Sequence, residues 1–178
     1  VNGKPPSVLD IGCGRGGFLL AHALSFPNEN VLGIEVRKML VDWITGVAKG
    51  EGLGNVHAEW YSVVNGLRWI PSNSLLKTSY LFPDPWPKKR HYKRRAFSVA
   101  FLEEVHRVLH ADGTLYLATD RVDVDTHQRS VFRVHGGFEL TDIAEATEHL
   151  WPFPFSTDQQ LFCERKGIGY HRYIARKK

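Results

Sequence analysis

A chain of 178 residues, 43% hydrophobic and 24% charged, can close one proper core, which excludes a disordered chain and a small disulfide-stapled one. No apolar run approaches the ~20 residues that cross a bilayer and the opening residues do not read as a signal peptide, so no membrane span is expected. Net charge is +4, but residues 88–95 hold six Lys or Arg and residues 165–178 six more without an acid, which leaves the body at −8. That asymmetry points to a nucleic-acid footprint; a solvated charged loop and a frayed tail are the plainer alternative. Cys13 and Cys163 are too few for a disulfide framework and the nine histidines show no metal spacing, so reduced thiols, a cytoplasmic protein and no metal site are expected. The sequence opens at Val1 almost directly on a strand, from which a further N-terminal segment is expected to precede it.

In chain order, residues 7–11 read as a short buried strand, followed without a gap by Gly12-Cys13-Gly14-Arg15-Gly16-Gly17 and a helix over 18–24. A second strand, 31–35, ends on Glu35, and a helix follows over 37–48 with Met39, Leu40, Trp43, Ile44 and Val47 at helical spacing. Residues 55–60 form a weaker third strand, and 61–76 are ambiguous around a turn at Pro71-Ser72-Asn73. Residues 78–82 are the fourth strand. An amphipathic helix over 96–109 turns Phe97, Phe101, Leu102, Val105, Val108 and Leu109 inward. Asp112-Gly113 turns into a fifth strand, 114–119, which ends at Asp120; a helix follows over 123–135. Strands over 138–143 and 170–175 flank a Pro-rich, loop-like stretch at 151–155.

With no repeat and no linker, residues 1–178 are read as a single domain. Alternating strands and helices predict an α/β fold, a mostly parallel, doubly wound sheet with helices on both faces. Ligands then meet the carboxyl ends of the strands, near Asp10, Glu35, Asp84 and Asp120.

Glycines 12, 14 and 17 match G-x-G-x-x-G, and Glu35 stands about 20 residues further on, where an acid grips ribose hydroxyls. Both features serve NAD and S-adenosylmethionine alike. Asp10, two residues before the first glycine, tips the balance. A carboxylate repels a pyrophosphate but suits the amino group and sulfonium of S-adenosylmethionine. The simpler role for Asp10 is to satisfy amides of the glycine turn.

The chain is organised around residues 81–95, where Asp84 sits between Pro83 and Pro85 beside Trp86, and the basic run follows. The prolines restrict the backbone that carries the carboxylate. Trp86 either stacks on a base or packs under the loop, and Lys88 is the cation nearest the acid.

Residues 8–16 resemble motif I of class I methyltransferases. Pro83-Asp84-Pro85-Trp86-Pro87-Lys88-Lys89-Arg90-His91-Tyr92-Lys93-Arg94-Arg95 resembles the signature of the tRNA (guanine-N7-)-methyltransferases, as do Thr119-Asp120 and the segment from Thr157-Asp158. The resemblance runs from Val8 to the C-terminus. It implies a Rossmann-like class I methyltransferase fold, S-adenosylmethionine as cofactor, tRNA as partner and methyl transfer to N7 of a guanine in the variable loop. It implies Asp84 as the catalytic residue. It implies cofactor contacts at Asp10, Gly12, Gly14, Glu35, Val36, Tyr61, Ser62, Leu81 and Asp84, and substrate contacts at Lys88, Asp120, Thr157, Asp158, Gln159 and Gln160. This sequence departs from the family pattern at Tyr61 and Ser62, where an Asp or Asn is usual, and at Gln160, which replaces an acid.

Asp120, Thr157 and Asp158 read equally as helix N-caps. The departures leave room for an RNA-binding module without catalysis, and the glycine pattern alone for an NAD-dependent oxidoreductase.

Overall fold

The computed structural model describes residues 3–84 and 96–178. The strands are β1 (Val8–Ile11), β2 (Val31–Glu35), β3 (Val56–Trp60), β4 (Leu75–Leu81), β5 (Leu109–Thr119), β6 (Phe138–Asp142) and β7 (His171–Lys177). The helices are α1 (Gly17–Ser25), α2 (Lys38–Gly50), α3 (Val99–Val108), α4 (Val122–His135) and α5 (Asp158–Lys166). All seven strands join one sheet in the order β3-β2-β1-β4-β5-β7-β6. The first five pair in parallel, whereas β7 runs antiparallel to both β5 and β6.

The apolar runs in the central strands are buried on both faces, as parallel strands require. Alternate residues serve different layers: Leu9, Ile11, Leu115 and Leu117 pack with α3 and α4. Val8 and Val31 pack with α1 and α2, and Tyr116, Ala118 and Ile174 pack with Phe18, Trp151 and Phe153. The inner face of α3 is the one its periodicity predicts, and the Ser98 hydroxyl opens that helix by accepting the Phe101 N–H.

Several sequence expectations are corrected. In α2 the buried residues are Val41, Ile44 and Ala48, while Met39 and Trp43 are 76% and 61% exposed. β4 begins at Leu75 inside the ambiguous stretch, whose Leu67 and Ile70 are buried. Arg107 holds that irregular segment by donating to the carbonyls of Leu67 and Ile70 and to the Ser72 hydroxyl. The expected turn at Asp112-Gly113 lies within β5, at a register shift against β4. A Cβ on Gly113 would lie 2.7 Å from the Leu75 carbonyl oxygen, so the shift tolerates no side chain there. Helix α5 occupies a segment that the reading in chain order leaves unassigned and that only the N-cap alternative for Thr157 and Asp158 anticipates.

The C-terminal basic segment is no frayed tail. Arg172 pairs with Glu148 and lies over the Trp151 ring, and Lys177 donates to the Leu109 carbonyl and the Asn73 side chain. Part of that positive charge is therefore used inside the fold. The other basic segment, with the readings of Trp86 and Lys88, lies outside the described residues.

Candidate active site

Beyond the carboxyl ends of β1, β2 and β4 lies a cavity of about 500 Å³, a volume typical of small-molecule sites. Its floor is the turn between β1 and α1. Gly12, Gly14 and Gly16 all have positive φ, at 74°, 57° and 81°, which a side chain would disfavour. The Gly12 and Cys13 N–H groups donate to the Ile34 carbonyl, tying the turn to β2. Gly33 lets the layers close: a Cβ there would stand 2.5 Å from Leu19 Cδ2 and 2.8 Å from Cys13 Sγ.

Two buried acids face this corner. Glu35 is 4% exposed and its carboxylate accepts the N–H groups of Gly14 and Arg37 at 3.0 Å each. The Arg37 guanidinium adds bonds of 2.8 and 3.3 Å. Burial alone would raise the Glu35 pKa, but the Arg37 and Gly14 hydrogen bonds outweigh it and hold the carboxyl below its ordinary value. Asp10 is also 4% exposed. Burial pushes it up to about 6, against the hydrogen bond from Ser79 and with the help of the Glu35 charge. The two pKa values are thus displaced in opposite directions, Glu35 downward and Asp10 up to about 6.

Asp84 lines the same cavity from the end of β4, within reach of the Arg37 charge. β4 ends at Leu81, and Phe82 then adopts φ 48°, a left-handed conformation costly for a bulky residue. Its N–H donates to the Ala118 carbonyl at 2.7 Å, and its ring packs edge-on to Tyr170. Pro83 follows, and Asp84 emerges exposed at the cavity rim. Among the described residues no hydrogen bond reaches its carboxylate.

The third wall comes from α5. Thr157 caps that helix by accepting the Gln160 N–H at 3.0 Å, so the capping role read from sequence is real. Asp158 lies against the glycine turn, where a Cβ on Gly17 would be 3.3 Å from its Oδ1. Gln159 donates to Asp120 at 3.0 Å, joining α5 to the end of β5. Asp120 is not the cap of α4; that position is Arg121. Gln160 turns away from the cavity, is 9% exposed and donates to Glu164.

The cavity thus gathers every residue expected at the cofactor: Asp10, Gly12, Gly14, Glu35, Val36, Tyr61, Ser62, Leu81 and Asp84 all line it. Thr157, Asp158 and Gln159 line it as well; Asp120 and Gln160 do not. Sequence reasoning missed Arg37, Ser79, Phe82 and the aromatic wall of Phe18. Arg37 and Ser79 carried a signal, one residing two positions beyond Glu35 and the other in the strand beside Asp10. The backbone of Phe82 carried none. Among the described residues no cluster suited to a metal ion occurs, and no helix is long and apolar enough to cross a membrane.

This sheet with a glycine-turn cavity is the architecture of class I methyltransferases. The structure superposes on a precorrin-6y C5,15-methyltransferase from Geobacter metallireducens with a TM-score of 0.65, at 15% identity over 99% of this chain and 82% of the other. An rRNA methylase from Streptococcus thermophilus gives 0.61, at 11% identity over 98% and 88% of the two chains. Residues 4–169 match the family described as "Putative methyltransferase". The tRNA (guanine-N(7)-)-methyltransferase of Synechococcus elongatus is 33% identical over 95% of this chain and 80% of its own length. That of Shigella dysenteriae is 36% identical over 91% and 67%. The chain belongs to the tRNA (guanine-N(7)-)-methyltransferase family. Its cofactor is S-adenosylmethionine. The cavity fits that group: positive-φ glycines bring backbone close, Glu35 offers a carboxylate at the ribose position, and Asp10 offers negative charge for a cationic end.

Proposed function

We propose that this protein methylates N7 of a guanine in the variable loop of tRNA, with Asp84 as the catalytic residue. The observation that carries the reading is the placing of Asp84 on the same cavity as Asp10 and Glu35, exposed where a macromolecule can reach it. S-adenosylmethionine, when bound, supplies the methyl group from its sulfonium. Asp10 and Glu35 would hold it, the first by charge at the cationic end and the second by accepting from ribose hydroxyls in place of the exposed Arg37 guanidinium.

Guanine N7 carries a lone pair and no proton, so the site needs no general base. It must align the purine and stabilise the positive charge that the ring gains. Alignment is worth up to roughly 7–11 kcal/mol in well-oriented systems, and a fixed charged group commonly contributes ~3 kcal/mol more. Asp84 accepts hydrogen bonds from the guanine N1–H and N2–H₂, which adenine does not offer in that pattern. Asp120, Thr157, Asp158, Gln159 and Gln160 border the substrate side in this reading, and Lys88 meets the RNA backbone. Gln160 acts indirectly, since its amide is turned to Glu164. A tRNA partner and a cytoplasmic setting complete the proposal; both cysteines are free and buried.

The test is transfer of labelled methyl to bulk tRNA followed by nucleoside analysis. The expected product is 7-methylguanosine, and label in any other nucleoside, or none, overturns the reading.

A further inference from the structure

The β1–β4 pairing places Asp10 directly opposite Ser79, and the two side chains meet in the interior. Ser79 is 2% exposed. Its hydroxyl donates to Asp10 Oδ1 at 2.6 Å and has the Leu9 carbonyl as a second acceptor at 3.4 Å. A serine has one proton to donate, so the hydroxyl serves whichever acceptor is stronger. An ionised carboxylate wins by charge and by distance. A protonated Asp10 would release the hydroxyl to Leu9.

We propose that Ser79 is a positioning residue for cofactor binding: it pins one oxygen of Asp10, leaves Oδ2 for the ligand, and keeps the carboxylate charged inside the sheet. The inference rests on the reading that Asp10 meets the cationic end of S-adenosylmethionine. Glu35 from β2 repels the Asp10 charge, and the Cys13 thiol of the glycine turn, itself pushed up by burial, offers no compensating cation. Among the described residues the cations lining the cavity are Arg15 and Arg37, and the Arg37 guanidinium is committed to both oxygens of Glu35. From the far side, β4 contributes Ser79. Among the described residues it makes the side-chain hydrogen bond that opposes desolvation at Asp10.

The consequence is a pH dependence of cofactor affinity that Ser79 sets. The cofactor prefers ionised Asp10, so affinity falls as pH drops through the Asp10 pKa near 6. Removing the hydroxyl raises that pKa further and brings the loss into the neutral range. A hydrogen bond to a charged group is worth enough to displace the midpoint by about one pH unit.

Calorimetric titration of the full chain with S-adenosylmethionine between pH 5 and 8.5 tests this, using wild type, Ser79→Ala, Ser79→Thr and Asp10→Asn. The expected result for Ser79→Ala is an acid-side loss of affinity displaced upward by about one pH unit, roughly fivefold near pH 6, approaching tenfold at pH 5 and vanishing by pH 8.5. Ser79→Thr, which keeps the hydroxyl, should return toward the wild-type curve, and Asp10→Asn should bind weakly without a midpoint in this range. A Ser79→Ala curve that superimposes on wild type, or lies below it by the same factor at every pH, overturns the role of Ser79. Wild-type affinity in Asp10→Asn would instead overturn the cofactor assignment of Asp10, a separate failure.

Discussion

The carboxylates on the two sides of this cavity are held in opposite ways. At the glycine turn, Asp10 and Glu35 are almost sealed, and Glu35 accepts four hydrogen bonds from Gly14 and Arg37. After β4, Asp84 stands exposed, steered by the left-handed Phe82 and by Pro83 rather than by hydrogen bonds from described residues. Under the proposed function, the difference follows from the size of what each acid meets. A small cofactor can enter a buried pocket, so its acids can be fixed from within at the cost of desolvation. A guanine arrives attached to a large RNA, so the acid that meets it must stand outside the core, and its aim has to come from backbone restraint.

Three variants break or sharpen that contrast. Asp84→Ala should cut single-turnover methyl transfer about 10²–10³-fold while calorimetry shows cofactor affinity within a fewfold of wild type. Near-normal turnover would end the division of labour. Asp10→Asn should do the reverse, weakening the cofactor while strengthening the fold. The folded pKa of about 6 lies above the ordinary carboxyl value of 3.8, so wild type is most stable with Asp10 protonated and loses stability as pH rises from about 4 to 6. The Asn variant escapes this loss. Urea unfolding should show a gain on the order of 2–3 kcal/mol at pH 7.5 and almost none at pH 4. Phe82→Gly should have the smallest effect on the fold, because relief of about 1 kcal/mol of backbone strain offsets part of the lost ring packing. Turnover should nevertheless fall severalfold with cofactor affinity unchanged, as a loosened Asp84 samples more orientations.

Much of the glycine-turn corner was legible because its parts are local. A strand, a glycine turn, a helix and an acid ending the next strand are written consecutively from Val8 to Glu35. The elements that escaped depend on distant partners. Helix α5 buries only Gln160 and Cys163, so no apolar stripe announces it; it is held by Thr157 at its start and by the Gln159–Asp120 bond. The early start of β5 depends on Gly113 fitting beneath Leu75, a contact between residues far apart in sequence. In α2, Met39 and Trp43 gave a convincing apolar pattern that the sheet does not use. Burial belongs to Ile44, which fills the space left by the missing side chain of Gly16, 2.6 Å from where a Cβ would stand.

The placement of β7 between β5 and β6 bears on how the protein is made. It is the last of the seven strands to leave the ribosome, yet it fills an interior position. Until it arrives, β5 exposes an unpaired edge along Thr114–Thr119, and β6 has no neighbour to join. The nascent chain therefore passes through a stage in which the glycine-turn corner has been synthesised while β5 keeps an open edge and β6 stands unpaired, the form most exposed to aggregation. Arrival of Tyr173, buried against Phe132 and bonded to Gln128, closes that interval and gives β5 and β6 the neighbour they share.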